Sequence, residues 1–336
     1  MPFQRLAARL ADGSSPTVHT LPDGSIDRYS RLSAGALDPV RRRTTFAREI
    51  EAGGRKGFGL EPTHVEPGGQ AVNAAGQAHA LGADATCYGH LDDSVFDSLP
   101  FDTVSMGDPA VVNVLDFEDT DLLLVEDSPD IQNWSLADLR AIAPLAVVFD
   151  ADALVCTNWV SVPAMGEAFH DLAAEALPRV PFVFDPGDVL GSDLCAHRDL
   201  REAVSALQTT LDVVVSVNRT ELHALTAALP NPPESPVDDR DRVRALRAAF
   251  GGAAVVKHGK EEALAATEEG VVAVENPTVE ATRQTGGGDR FAGGLAVGLG
   301  DGWGWEVALA AGNACASYYV STGGTATAEE LREWVP

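Results

Sequence analysis

Residues Gln284-Thr285-Gly286-Gly287-Gly288-Asp289-Arg290 carry the sharpest chemical signal in the chain. Three consecutive glycines let the backbone turn its N–H groups toward one point, and a helical run follows them. The positive N-terminal end of that helix adds to the amides, so the turn reads as an anion hole suited to phosphoryl oxygens. Asp289 stands at its rim, where a carboxylate can take the proton of an attacking hydroxyl. The same residues could instead form a tight turn with Asp289 as a plain helix N-cap. No G-x-x-x-x-G-K-[ST] loop occurs, so this is not a Walker-type phosphate loop.

Other short motifs accompany the turn. Gly68-Gly69-Gln70-Ala71-Val72-Asn73 opens a small-residue helix, followed by Leu81-Gly82 and Gly89-His90-Leu91-Asp92. Asn218-Arg219-Thr220-Glu221 follows the apolar run LDVVVSV. In this order, across residues 17–330, the set resembles the ribokinase-like (PfkB-type) carbohydrate kinase family. The resemblance implies an α/β fold, a three-layer α/β/α sandwich with a mostly parallel central sheet and a small β lid. It implies Asp289 as general base and the Gly286, Gly287 and Gly288 amides as anion hole. It implies substrate contacts at Asp27, Gly68, Gly69 and Asn73, and a nucleotide site near Asn218, Lys257, Gly259 and Asn313. It also implies ATP as co-substrate and Mg²⁺ organised by Glu221, through water, and Asn218. The family usually reads Asp-Thr-x-Gly-Ala-Gly-Asp at the turn, whereas Arg283, Gln284 and Gly287 stand here for the Asp, the Thr and the Ala.

The elements that must hold these residues are legible as alternating patterns. Strand-like runs at 153–159, 181–185, 211–217 and 253–259 are separated by helical stretches such as 164–177, 198–208, 238–250 and 289–299. Buried apolar strands joined through helices belong to a parallel sheet covered on both faces. Residues 111–127 read as an antiparallel hairpin turning near Asp119. The lid strands are expected from about 28–62 and 100–127. Residues 1–16 are polar and read as a poorly ordered or peripheral N-terminal extension.

Composition narrows the function further. The 336 residues carry 50 Asp and Glu against 24 Lys and Arg, a net charge of −26, and only three of the cations are lysines. Such acidity argues against nucleic-acid partners and looks like adaptation to molar salt. No apolar run reaches the ~20 residues of a membrane span. Four scattered cysteines and no apolar signal core point to a cytoplasmic, reduced protein. Residues 28–56 run against the acidic trend, with eight cations and three anions. Arginine forks suit phosphate oxygens, so Arg28 and the Arg41–Arg43 run, Arg43 included, point to a sugar phosphate acceptor, with ribose 1-phosphate as the leading expectation. A nucleoside, neutral-sugar or sugar-acid kinase is the alternative. A non-catalytic nucleotide- or sugar-phosphate-binding regulator is the alternative of another class. Lid strands with exposed edges point to a homodimer.

Overall fold

Valine-rich strands send successive side chains to opposite faces, and here both faces are covered. In the computed structural model, which describes residues 1–13, 15–35, 38–233, 237–283 and 285–336, nine strands form the central sheet. Their spatial order is Val271–Glu275, Glu262–Ala266, Ala254–His258, Asp212–Asn218, Pro181–Asp185, Ala153–Thr157, Thr17–Leu21, Asp84–Gly89 and Asp102–Ser105. The last seven run parallel, and the first two close one edge antiparallel. Along Ala153–Thr157, Ala153 and Val155 enter one core while Leu154 and Cys156 enter the other. The first core contains helices Gln70–Ala80, Gly287–Gly300 and Trp305–Thr322, and the second contains Met165–Leu172, Leu194–Leu207 and Asp239–Phe250. Phe169, Phe182 and Phe184 stack edge-on in the second core, each fully buried ring contributing about 1.5–3 kcal/mol.

A second sheet lies outside this sandwich. Its central strand, Ser25–Gly35, pairs antiparallel with Gly59–Gly68 and parallel with Ala110–Leu115. The latter forms the expected hairpin with Leu122–Glu126. Asp38–Val40 completes the sheet, and Leu32, Val40, Leu115 and Phe117 give it a small core of its own against Phe46 and Phe58. This is the lid. Its two edge strands expose Leu60, Val65, Leu123, Leu124 and Val125.

Two expectations are corrected. Asp102–Ser105 is not a lid strand but the edge of the central sheet, parallel to Asp84–Gly89. The N-terminal segment is not loose: Pro2–Asp12 is a helix whose Leu6 and Leu10, one turn apart, are buried in the first core with Phe3 packed beside them.

Candidate active site

Asp289 sits in the first turn of Gly287–Gly300, and Gly286 caps that helix with φ of 89°, a left-handed conformation that favours glycine. The turn is also tight. A Cβ on Gly286 would stand 3.1 Å from the Tyr319 hydroxyl, and one on Gly288 would stand 3.3 Å from His258 Cε1. The first amides of this helix have no partners of their own within it, so they suit an anion. Asp289 is buried, and its Oδ2 accepts a hydrogen bond from Asn73 Nδ2 at 2.8 Å. Burial pushes the carboxyl up to about 6, with the charges of Asp23 and Asp27 adding to the effect, although Arg290 and the Asn73 bond oppose it.

Asn73 belongs to the helix Gln70–Ala80, whose start is held by an acid that the sequence reading passed over. Asp23 is buried and accepts from the amides of Gln70 and Ala71 at 2.9 and 2.8 Å, and from the Thr157 hydroxyl at 2.8 Å. It ties the ends of two central strands to the helix that orients Asn73. Asp27 lies four residues on, in the central lid strand, directly across from Glu66. Its carboxylate is packed against Gly68, where any Cβ would fall 2.4 Å from it, so a side chain there would have to displace the Asp27 carboxylate. Burial raises Asp27 above the usual carboxylate range, although Ser25 donates to it at 2.6 Å. Gly69 is the N-cap of the Asn73 helix.

On the other side of Asp289 opens a cleft of about 1090 Å³. It is lined by Asn218, Glu221, Gly259, Asn313 and the turn glycines, and also by Asp185, Asp188, His258, Lys260 and Asn276. Asn218 and Glu221 form a capping box. Asn218 accepts from the amides of Thr220 and Glu221, and the Glu221 carboxylate accepts from the Asn218 amide at 2.7 Å. The box aims Glu221 rigidly, and burial pushes its carboxyl up to about 7. Asp185, buried at the end of Pro181–Asp185, is driven well above the ordinary range by burial and then by Glu221. Carboxylates crowded in this way could hold a divalent cation. Among the described residues no group of three acidic, His or Cys side chains is placed to ligate one alone. Water or a ligand's phosphates would therefore complete the shell. His258 is pushed down to about 4 by burial and by Lys257, and it stacks on Phe291. Its Nε2, with Asn276 Oδ1 and Asn313 Oδ1, is buried without a hydrogen-bond partner among the described residues. These are polar atoms that a bound nucleotide could satisfy.

Three expected site residues lie elsewhere. Lys257 points to the opposite face of its strand from His258 and sits 3.8 Å from Asp239, so the lysine lining the cleft is Lys260. Arg28 is exposed on its strand. Arg43 begins an exposed lid helix and gives its backbone amide to Asp119. Its neighbours in the basic island pair with acids: Arg41 with Glu118 at 2.9 Å, Arg31 with Asp116 at 3.4 Å and Arg55 with Glu49 at 3.3 Å. Gln284 lies outside the described residues.

A family model for prokaryotic ketohexokinase matches residues 36–336. The chain belongs to this family. The ketohexokinase of Haloferax volcanii is 30% identical over 340 residues, covering 92% of this chain and 88% of that protein. Its source agrees with the acidic, lysine-poor composition. Solved structures share the fold at lower identity. The ribokinase of Thermotoga maritima, 16% identical, superposes with a TM-score of 0.69 over 95% of this chain and 98% of its own. The adenosine kinase of Sinorhizobium meliloti, 17% identical, gives 0.67 over 95% and 98%. This member of the ketohexokinase family is a sugar kinase, a phosphotransferase with an alcohol acceptor, in a ribokinase-like α/β fold. No helix among the described residues is long and apolar enough to cross a membrane.

Proposed function

We propose that this kinase transfers a phosphoryl group from ATP to a hydroxyl of a neutral ketohexose, with Asp289 as general base and the amides of Gly286–Gly288 as anion hole. The observation that carries the acceptor class is the charge around Asp289. Asp23 and Asp27 both act on it, and the arginine whose charge reaches Asp27 is already bonded to Glu66. A phosphorylated acceptor would meet the carboxylates of Asp23, Asp27 and Asp289 there, with Arg283 held by Glu66 and Arg290 as the cation that acts on Asp289. Within the basic island Arg41, Arg31 and Arg55 pair with Glu118, Asp116 and Glu49 on the lid, where exposed pairs are worth about 0–1 kcal/mol each, and Arg28 is exposed on its strand. The name of the Haloferax relative supports the same class.

The chemistry asks the protein mainly for alignment. Asp289 takes the hydroxyl proton as the oxygen attacks, Asn73 holds the carboxylate on that line, and the turn amides receive the charge of the transferred group. Glu221, Asp185 and Asn218 would hold Mg²⁺ arriving with the nucleotide, and the ion would neutralise phosphate charge. A coupled ADP-formation assay in molar KCl tests the acceptor class. Fructose and other ketohexoses should exceed ribose 1-phosphate and fructose phosphates in kcat/KM by at least about a hundredfold. A phosphorylated sugar in first place overturns the charge argument and restores the basic island to the site. Turnover of nothing, with nucleotide still bound, moves the regulator reading to the front.

Acid should silence the base. Asp289 must be ionised to accept a proton, and its raised pKa keeps it protonated below about 6. At saturating Mg-ATP, kcat/KM for the acceptor should fall about tenfold per pH unit below that value and level off above it. A limb near 4 would mean that burial does not shape this carboxyl. The homodimer belongs to the same reading, joined through the apolar lid edges at Leu60, Val65 and Leu123–Val125. Sedimentation that finds only monomer at micromolar concentration removes it.

A further inference from the structure

Arg283 stands in the short loop that leads into the glycine turn, and it reaches the lid. Its Nη2 donates to Glu66 Oε1 at 2.8 Å and to the Tyr29 hydroxyl. Its guanidinium lies 5.4 Å from the ring centres of both Tyr29 and Tyr319. Tyr29 and Glu66 come from two paired lid strands, whereas Tyr319 belongs to the core helix Trp305–Thr322. Tyr29 is stacked in turn on His64, with ring centres 4.3 Å apart. Burial by itself would raise Glu66, yet the bonds from Arg283 and Tyr29 hold it below its ordinary range.

The same loop is anchored to the core and touched by the lid a second time. The amides of Thr282 and Arg283 both donate to the Val320 carbonyl, at 2.7 and 3.1 Å. The Thr285 side chain acts on Asp121, in the turn between the two strands of the other lid hairpin, and opposes the rise that burial gives its carboxyl. Both lid contacts therefore converge on Arg283 and Thr285, immediately before the anion hole. A guanidinium is suited to the task, because one planar group can bond a carboxylate at its edge and stack on rings with its faces.

We infer that Arg283 is the latch of the lid: a positioning residue that fixes the Tyr29 and Glu66 strands, and Asp27 with them, against the glycine turn. Asp27 lies one strand across from Glu66 and within the field of Arg283. The latch thus couples the acceptor's carboxylate contact to the loop that receives the phosphoryl group. This rests on the kinase reading above, but the latch has a readout that does not need turnover.

The test uses the full-length protein and the variants Arg283→Ala, Arg283→Lys, Glu66→Gln and Tyr29→Phe. Amide hydrogen exchange over Ser25–Gly35 and Gly59–Gly68 should speed up in Arg283→Ala and Glu66→Gln, with the core strands unchanged. In the ketohexose assay both variants should raise the acceptor KM at least about tenfold and leave the ATP KM within about twofold. Arg283→Lys should recover part of the loss, since it keeps the charge but not the stacking. Unchanged lid exchange in Arg283→Ala overturns the latch. So does an ATP KM that rises with Arg283→Ala but not with Glu66→Gln, because Arg283 would then serve the nucleotide. If Arg283→Ala does not fold, Glu66→Gln and Tyr29→Phe remove the partners and decide the matter. If no acceptor is turned over by the unaltered protein, the kinase reading fails, and the exchange experiment still judges the latch.

Discussion

Asp289→Asn should lower kcat by about two to four orders of magnitude while the acceptor KM stays within about threefold. Asparagine is nearly isosteric, can still accept from Asn73, and leaves the Gly286–Gly288 turn untouched. Only the proposed proton acceptor is removed. The residual rate would come from the anion hole and from alignment, which do not depend on that carboxylate. Steady-state kinetics at pH 8, where the native carboxyl is fully ionised, make the cleanest comparison. A loss smaller than tenfold would mean that water takes the proton and that Asp289 serves as a helix cap.

Gly293→Ala should be nearly as damaging, although residue 293 is a full turn from the base. A Cβ there would fall 2.5 Å from the Ala74 carbonyl oxygen and 3.0 Å from Gln77 Cβ, both on the neighbouring helix Gln70–Ala80. The obstacle is backbone, so the two helices must move apart. Overpacking of this kind costs about 1–3 kcal/mol. The same two helices carry Asp289 and Asn73, whose side chains meet at 2.8 Å. A shift of about 1 Å between them should cost roughly a hundredfold in kcat. Thermal unfolding and kinetics together check this. A lowered melting temperature with full kcat would show that the Asp289–Asn73 alignment tolerates the wedge.

The parts of this molecule that were legible in the sequence are those written locally. Gly286–Asp289 is a contiguous turn, Asn218 and Glu221 form a four-residue capping box, and the Val-rich strands declare themselves through composition. What escaped was written across the chain. Asp23 looks like an ordinary turn residue after a strand, and Asp185 like an ordinary strand end. Their importance comes from what the fold packs around them, Gln70 and Thr157 for one and Glu221 for the other. The direction of Lys257 depends on which face of its strand meets the cleft, a parity that only the assembled sheet decides. The partners of Arg31 and Arg41 lie 85 and 77 residues away. No local pattern can tell a paired arginine from one waiting for phosphate. Asp102–Ser105 is four residues with a single apolar side chain, too little for a strand signal.

The acidic surroundings of the acceptor also bear on how a turnover ends. On the proposed reading, a neutral sugar would enter the field of Asp23, Asp27 and Asp289 at little electrostatic cost. Once phosphorylated, the same molecule would be an anion facing those carboxylates, with Arg283 still committed to Glu66 and Arg290 opposing their charge. Charges that tolerate such a reactant would repel what it becomes, so expulsion would follow from the chemistry that precedes it. Brine weakens this push, since at molar ionic strength fields decay over about 3 Å. Diluting the salt, within the range where the protein stays folded, should hasten departure and weaken inhibition by accumulated sugar phosphate.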